Sequence, residues 1–374
     1  MKQEIYGNVA ECIGNTPVLE LKDPLVPEGK RLLLKLEYFN PGLSIKDRTA
    51  LGLVTAAIAA GKLCRGGTLV ESTSGNLGKS LAMLGAVFGF RVIVVVDAKT
   101  SASVIHWCEA FGAQIEMVTK TDENGGYQKT RVIRVHELLE EFPGAFWPNQ
   151  YDNEDNPAFH CGTTGEEISE LISAVNADTV VGSVSTGGHL CGISRKVREK
   201  CPGTTVIACD VLGSAVFGGP FSSYLVNGVG LSWRSRNTDI SVLDKICISS
   251  DQEAISACRL FAREGGLLVG GSGGLVLCAA LAWLKQSSAY TAIAIIPDTG
   301  ANYLEQIYND EWLAKKGVSL LTRAQLDECL KKKVILDTRQ VFGEINITPC
   351  LAIDDGVDGE NSAEPAYELE PQSH

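Results

Sequence analysis

Residues 36–48 read LEYFNPGLSIKDR, the end of an apolar run, a Pro41–Gly42 turn, and a lysine where a helix can begin. The same order of strand, small-residue loop and helix returns in ESTSGNLGKSLAM at 71–83 and in GSVSTGGHLCGISR at 182–195. Working outward, short β-branched runs alternate with helical stretches from about Arg31 to Asp298, which is the α/β signature. The runs RLLLKLE, GTLVES, RVIVVVD, QIEMV, TVVGSVS, TVIACD, KICIS and AIAIIPD are nearly continuous in apolar residues, as strands covered on both faces are. LGKSLAMLGAVFG, SASVIHWCEAFGA and EEISELISAV read as helices between them. The expected architecture is two open, mostly parallel α/β sheets.

Each of these junctions offers chemistry. Lys46 stands where active-site groups of α/β proteins collect, and Leu43 and Ile45 would desolvate it, favouring the neutral amine that a Schiff-base lysine needs. The plain alternative is a solvated surface charge. Ser72, Thr73, Ser74, Gly75 and Asn76 precede a helix, where backbone N–H groups and hydroxyls can hold a carboxylate or phosphate; ordinary helix capping is the rival reading. At Ser185, Thr186, Gly187 and Gly188, glycines let backbone amides approach a phosphate and hydroxyls add donors. A dinucleotide site lacks its GxGxxG fingerprint there, although Asp210 lies about twenty positions on. Ser272 sits in the turn of VGGSGG at 269–274, where glycines can also serve close packing alone. The histidines have no metal-ligand spacing, the cysteines no CxxC and the chain no GxSxG elbow. A lysine at a turn together with a separate anion-binding loop suits a phosphorylated carbonyl cofactor.

The chain has 374 residues, 45% hydrophobic and 21% charged, room for two globular domains. A net charge of −12 would repel a phosphate backbone, so nucleic acid is set aside. No run reaches the ~18 apolar residues of a membrane span, and the N-terminus lacks a secretory pattern. The 12 cysteines are scattered, several in apolar runs, as reduced thiols of a cytoplasmic protein are. Thr322 and Gln325 resemble a capping box before a short helix, TRAQLDECLKKK, followed by a possible strand, KVILDTR. From Asp354 to His374 there are seven acidic residues and no Lys or Arg, a composition expected to be disordered.

In this order, IGNTPV at 13–18, NPGLSIKDR at 40–48, STSGN at 72–76, NPAFHCGTTGEEI at 156–168, STGGHLCG at 185–192, NGVG at 227–230, VGGSGG at 269–274 and PDTG at 297–300 resemble the cysteine synthase family of fold-type II pyridoxal-phosphate enzymes, from about Ile13 to Leu313. The resemblance implies a tryptophan synthase β-like fold. It places a smaller carboxylate-binding domain at 42–152, a larger cofactor domain at 1–41 and 153–316, an appendage at 317–350 and a tail at 351–374. It implies pyridoxal 5'-phosphate on Lys46, with Asn76 at the ring hydroxyl, Ser185 to Gly188 around the phosphate and Ser272 at the pyridine nitrogen. Ser72 to Gly75 would clamp the substrate carboxylate. Homodimers are the family's habit.

Two features depart from the sulfhydrylases of that family. Their phosphate loop usually reads Thr-Gly-Thr-Gly-Gly, whereas Val184 to Gly188 here read Val-Ser-Thr-Gly-Gly. NGGYQKTRVIRVHELL at 124–139 and NQYDNE at 149–154 are instead similar to members of siderophore pathways that join O-phosphoserine to L-glutamate on the way to 2,3-diaminopropionate. If 127–142 is helical, Arg131 falls on the apolar stripe of Val135, Leu138 and Phe142 and points inward. Either its guanidinium snorkels out, or, with Tyr151 nearby by resemblance, it grips the leaving phosphate. The expected reaction is β-replacement on O-phosphoserine by glutamate, the alternatives being a cysteine synthase and a non-catalytic binding protein on the same fold.

Overall fold

A computed structural model describes residues 5–121 and 126–342 of the protein; the expected acidic tail at 351–374 and the last eight positions of the appendage lie outside them. Strand β1 (Val18–Glu20) runs antiparallel to β2 (Arg31–Leu36). Then α1 (Lys46–Ala59), β3 (Thr68–Ser72), α2 (Asn76–Phe88), β4 (Arg91–Asp97), α3 (Ala102–Ala110), β5 (Gln114–Val118) and α4 (Gln128–Glu141) follow in turn. β3, β4 and β5 form a parallel three-stranded sheet. Its last strand was expected to be buried on both faces, but β5 lies at the sheet edge and Met117 is 43% exposed.

After α5 (Asp155–Gly162) and α6 (Thr164–Val175), the chain forms β6 (Thr179–Ser183), α7 (Gly188–Lys200), β7 (Thr205–Val211), β8 (Lys245–Ser249), α8 (Asp251–Gly265), α9 (Gly271–Gln286) and β9 (Thr291–Ile296). With β1, β2 and the late strand β10 (Ile335–Asp337) they make a seven-stranded sheet, ordered β1-β2-β9-β6-β7-β8-β10. The central strands β6 and β9 are buried at every residue, the physical reason their sequences do not alternate. α9 is buried along nearly its whole length, because its glycines and alanines let it lie close against the sheet and α8. The segment after α10 (Asp310–Lys315) does not hang free. Thr322 and Gln325 form the expected capping box at the start of α11 (Arg323–Lys331), and β10 then pairs antiparallel with β8, where Lys333 also meets Glu253.

All cysteines of the described residues are free thiols. Among those residues no helix is long and apolar enough to cross a membrane, and no cluster of His, Cys, Asp or Glu could hold a metal.

Candidate active site

Four helices begin at one cleft of about 210 Å³, at the carboxyl ends of parallel strands where such folds bind ligands. They are α1, α2, α7 and α9, and none has a side-chain cap. The hydroxyls of residues 72–74 therefore do not cap α2, contrary to the capping alternative. The positive ends of their helix dipoles face the same space; at α1 the Lys46 N–H already donates to the Ser44 hydroxyl at 3.2 Å.

Lys46 is the first residue of α1. Its approach is fixed from the large sheet: Ile45 N–H donates to the Pro297 carbonyl at 2.8 Å, and Ser44 bridges Asp298. Leu43 is held at φ 66°, a left-handed conformation that a leucine adopts only under surrounding constraint. Lys46 keeps part of its surface open to the cleft but is otherwise ringed by protein. Burial lowers its pKa to about 8, opposed by the nearby Glu71 carboxylate. Glu71 is itself pushed up to about 7 by burial, although Trp147 Nε1, Ser72 N–H and Gln150 N–H all donate to it. Two residues on, Arg48 is buried and forked between Glu37 (2.8 and 2.9 Å) and Glu167 (2.6 and 2.9 Å), pinning α1 to the strand end and to α6.

The loop before α7 is tightly packed and holds several unpartnered polar atoms. Gly187 has φ 80°, and a Cβ there would stand 2.6 Å from both the Asn237 carbonyl and Thr238 Cα, so only glycine fits. Around it, the Thr186 and Thr238 hydroxyls and His189 Nε2 are buried without a hydrogen-bond partner. An orphaned buried polar atom is costly, and these three belong to residues close to an uncapped helix start, two of which, Thr186 and His189, line the cleft. His189 is neutral, its pKa lowered to about 3 by burial and by Lys46.

The cleft brings together Lys46, Thr73, Ser74, Gly75, Asn76, Arg131, Tyr151, Ser185, Thr186 and Ser272. Ser72, Gly187 and Gly188 lie behind it, Ser72 buried with its Oγ unpartnered. Asp210 does not line the cleft. The snorkelling alternative for Arg131 fails: it is 4% exposed, on the inner face of α4. Its Nη1 is 3.2 Å from Asp97 Oδ2, off line for a hydrogen bond, so the ion pair leaves Nε and Nη1 without hydrogen-bond partners. Sequence reasoning missed His189, Thr238, Gln150 and the carboxylate of Asp298, to which Asn76 Nδ2 donates at 2.8 Å and Ser272 Oγ at 3.4 Å.

A family model described as "Pyridoxal-phosphate dependent enzyme" matches residues 9–298. The chain is 36% identical over 316 residues to an N-(2-amino-2-carboxyethyl)-L-glutamate synthase of Ralstonia nicotianae, covering 84% of this chain and 93% of the relative. Among solved structures, cysteine synthase from Entamoeba histolytica superposes with a TM-score of 0.80 at 32% identity, covering 89% of this chain and 98% of that one. O-ureido-L-serine synthase gives 0.76 at 30%, covering 83% and 100%. The cofactor named in that family description has an aldehyde, a phosphate and a ring bearing polar atoms. The cleft offers a depressed-pKa lysine, a loop of unpartnered donors and the side chains of Asn76 and Ser272, so the residues present fit the group.

Proposed function

The chain belongs to the family of pyridoxal-phosphate-dependent enzymes, and on that premise we propose that it replaces the phosphate of O-phospho-L-serine with the amino group of L-glutamate, giving N-(2-amino-2-carboxyethyl)-L-glutamate and inorganic phosphate. The coarser activity, β-replacement by an enzyme of the cysteine synthase type, follows from its relatives. The observation that carries the choice of donor is Arg131, a buried guanidinium in the cleft wall with two nitrogens unsatisfied. A dianionic leaving group supplies the acceptors it lacks, in the planar geometry guanidinium prefers.

Bound pyridoxal phosphate supplies an aldehyde that joins an amine and a ring that draws electrons from Cα of the attached amino acid. Protein groups do the rest. Thr73, Ser74 and the N–H groups opening α2 hold the substrate carboxylate. Lys46 Nζ would hold the cofactor aldehyde at rest and, as a neutral base, would take the Cα proton of the bound substrate. Arg131 receives the phosphate as the Cβ–O bond breaks, with Tyr151 beside it. With the ammonium proton of glutamate passing to the departing phosphate, its neutral nitrogen would bond to Cβ and the Lys46 ammonium would return a proton to Cα. Ser272 is assigned to the pyridine nitrogen. Ser272→Asp would be a poor probe of that role, because its carboxylate would crowd Asp298 and the pair would share a proton; Ser272→Ala avoids this.

The test of the donor is Arg131→Ala. Losing one charge-assisted contact costs about 1.5–3 kcal/mol, so turnover of O-phosphoserine should fall roughly tenfold to a hundredfold while any turnover of O-acetylserine is nearly unchanged. Equal losses with both donors would make Arg131 structural. A wild-type preference for O-acetylserine would instead make cysteine synthase the better reading.

A second expectation concerns pH. Below about 8 the Lys46 ammonium dominates and cannot attack an aldehyde; above it the free amine does. The rate at which apoenzyme binds pyridoxal phosphate covalently should therefore rise with pH and level off above about 8. Glu71→Gln removes an anion that favours the ammonium, so the midpoint should move to lower pH. A profile that keeps rising towards the ordinary lysine range would show that Lys46 is not desolvated.

A further inference from the structure

Behind the cleft wall, a second buried lysine is joined to Asn76 through a row of side chains. Lys79 is 1% exposed, one turn along α2 from Asn76. Its Nζ donates to Asn302 Oδ1 at 2.9 Å, Asn302 Nδ2 donates to Asn76 Oδ1 at 3.0 Å, and Asn76 Nδ2 donates to Asp298 Oδ2 at 2.8 Å. The Tyr303 hydroxyl closes the far end, also on Asp298 Oδ2, at 2.5 Å. We propose that Lys79 and Asn302 are positioning residues: with Asp298 they form a one-way hydrogen-bond chain that fixes which end of the Asn76 amide faces the cofactor ring.

The argument is one of donor and acceptor inventory. The two ends of an asparagine amide are alike in shape, so packing alone does not set its direction. An ammonium can only donate and a carboxylate only accept. Placed at opposite ends of two consecutive amides, they leave a single pattern in which every contact pairs a donor with an acceptor. Turning either amide over sets donor against donor or acceptor against acceptor. In the allowed pattern Asn76 Oδ1 is used by Asn302, and Nδ2 keeps a second N–H for an oxygen on the cofactor ring.

A buried lysine needs such a reason, because an apolar residue of similar length would fill the space without carrying a charge out of water. Burial lowers the Lys79 pKa, and several groups work against that shift in favour of the ammonium. The Trp107 ring lies 4.2 Å from Nζ, and Asp298 and Asp47 oppose the effect of burial on its pKa, just as Lys79 opposes the effect of burial on Asp298. The Asp298 carboxylate is seated equally firmly: a Cβ on Gly270 would stand 2.0 Å from Oδ1. Lys79 does not line the cleft, so its influence passes through Asn302.

This inference rests on the assignment of Asn76 to the cofactor ring, and the test separates the two. Asn76→Ala, Lys79→Met, Asn302→Asp and the Lys79→Met/Asn302→Asp double variant are compared with wild type by the absorbance maximum of bound cofactor and by the dissociation constant of pyridoxal phosphate on reconstitution. Asn302→Asp keeps an acceptor for Lys79 but loses the donor to Asn76. The single variants should each shift the absorbance band and weaken cofactor binding on the order of tenfold. The double variant should be no worse than the worse single, since both break one chain. If Lys79→Met does not fold, Asn302→Asp carries the same test. A perturbed Asn76→Ala beside wild-type spectra and affinities in Lys79→Met and Asn302→Asp overturns the chain. Wild-type behaviour in Asn76→Ala overturns the ring assignment and the chain with it.

Discussion

Lys46→Ala should lower turnover by roughly 10³-fold or more, because one side chain both tethers the cofactor and moves the Cα proton. Its place at the start of α1, in the floor of the cleft, with a pKa lowered to about 8, makes it the available amine at mildly alkaline pH. Lys79, the other buried lysine of this region, is engaged with Asn302 and Trp107. Borohydride reduction of wild-type holoenzyme followed by peptide mapping should put the pyridoxyl group on Lys46 alone, and the Lys46→Ala protein should carry none. An adduct on Lys79, or a Lys46→Ala protein that turns over at a tenth of the wild-type rate, contradicts the assignment.

The second large effect is on stability. Arg48→Met should destabilise the protein by about 3–5 kcal/mol, the usual result of removing one partner from a buried ion pair. Glu37 is fully buried and Glu167 partly so, and the guanidinium satisfies both carboxylates through four hydrogen bonds. Without it the buried Glu37 side chain keeps only the Thr16 hydroxyl and the Asn40 amide as side-chain donors. Urea denaturation followed by circular dichroism measures the loss, and a change below about 1 kcal/mol would show that water replaces the guanidinium. Because Arg48 also anchors the helix that presents Lys46, the folded fraction of the variant should bind cofactor more weakly than wild type.

What the sequence made legible was local. Strand-to-helix junctions announce themselves through a hydrophobic run, small residues and a helical pattern, so Lys46, Asn76, Gly187 and Ser272 could be singled out without knowing what they touch. The inward direction of Arg131 also followed from helical spacing. Its partner Asp97 did not, because nothing local relates the end of β4 to the first turn of α4. Asn76 and Asp298 are 222 positions apart, and an aspartate ending a strand gives no sign that two active-site side chains converge on it. β1 is three residues long, too short for any periodicity. α5 was hidden by Pro157, which is tolerated in the first turn of a helix but reads in sequence as a break.

The most direct test of the whole account is to incubate purified holoenzyme with O-phospho-L-serine and L-glutamate and follow products by mass spectrometry and phosphate release. Equimolar phosphate and N-(2-amino-2-carboxyethyl)-L-glutamate, lost in Lys46→Ala, are the expected result. Absence of any β-replacement product with O-phosphoserine or O-acetylserine, whether glutamate, other amines or sulfide is offered, would contradict it.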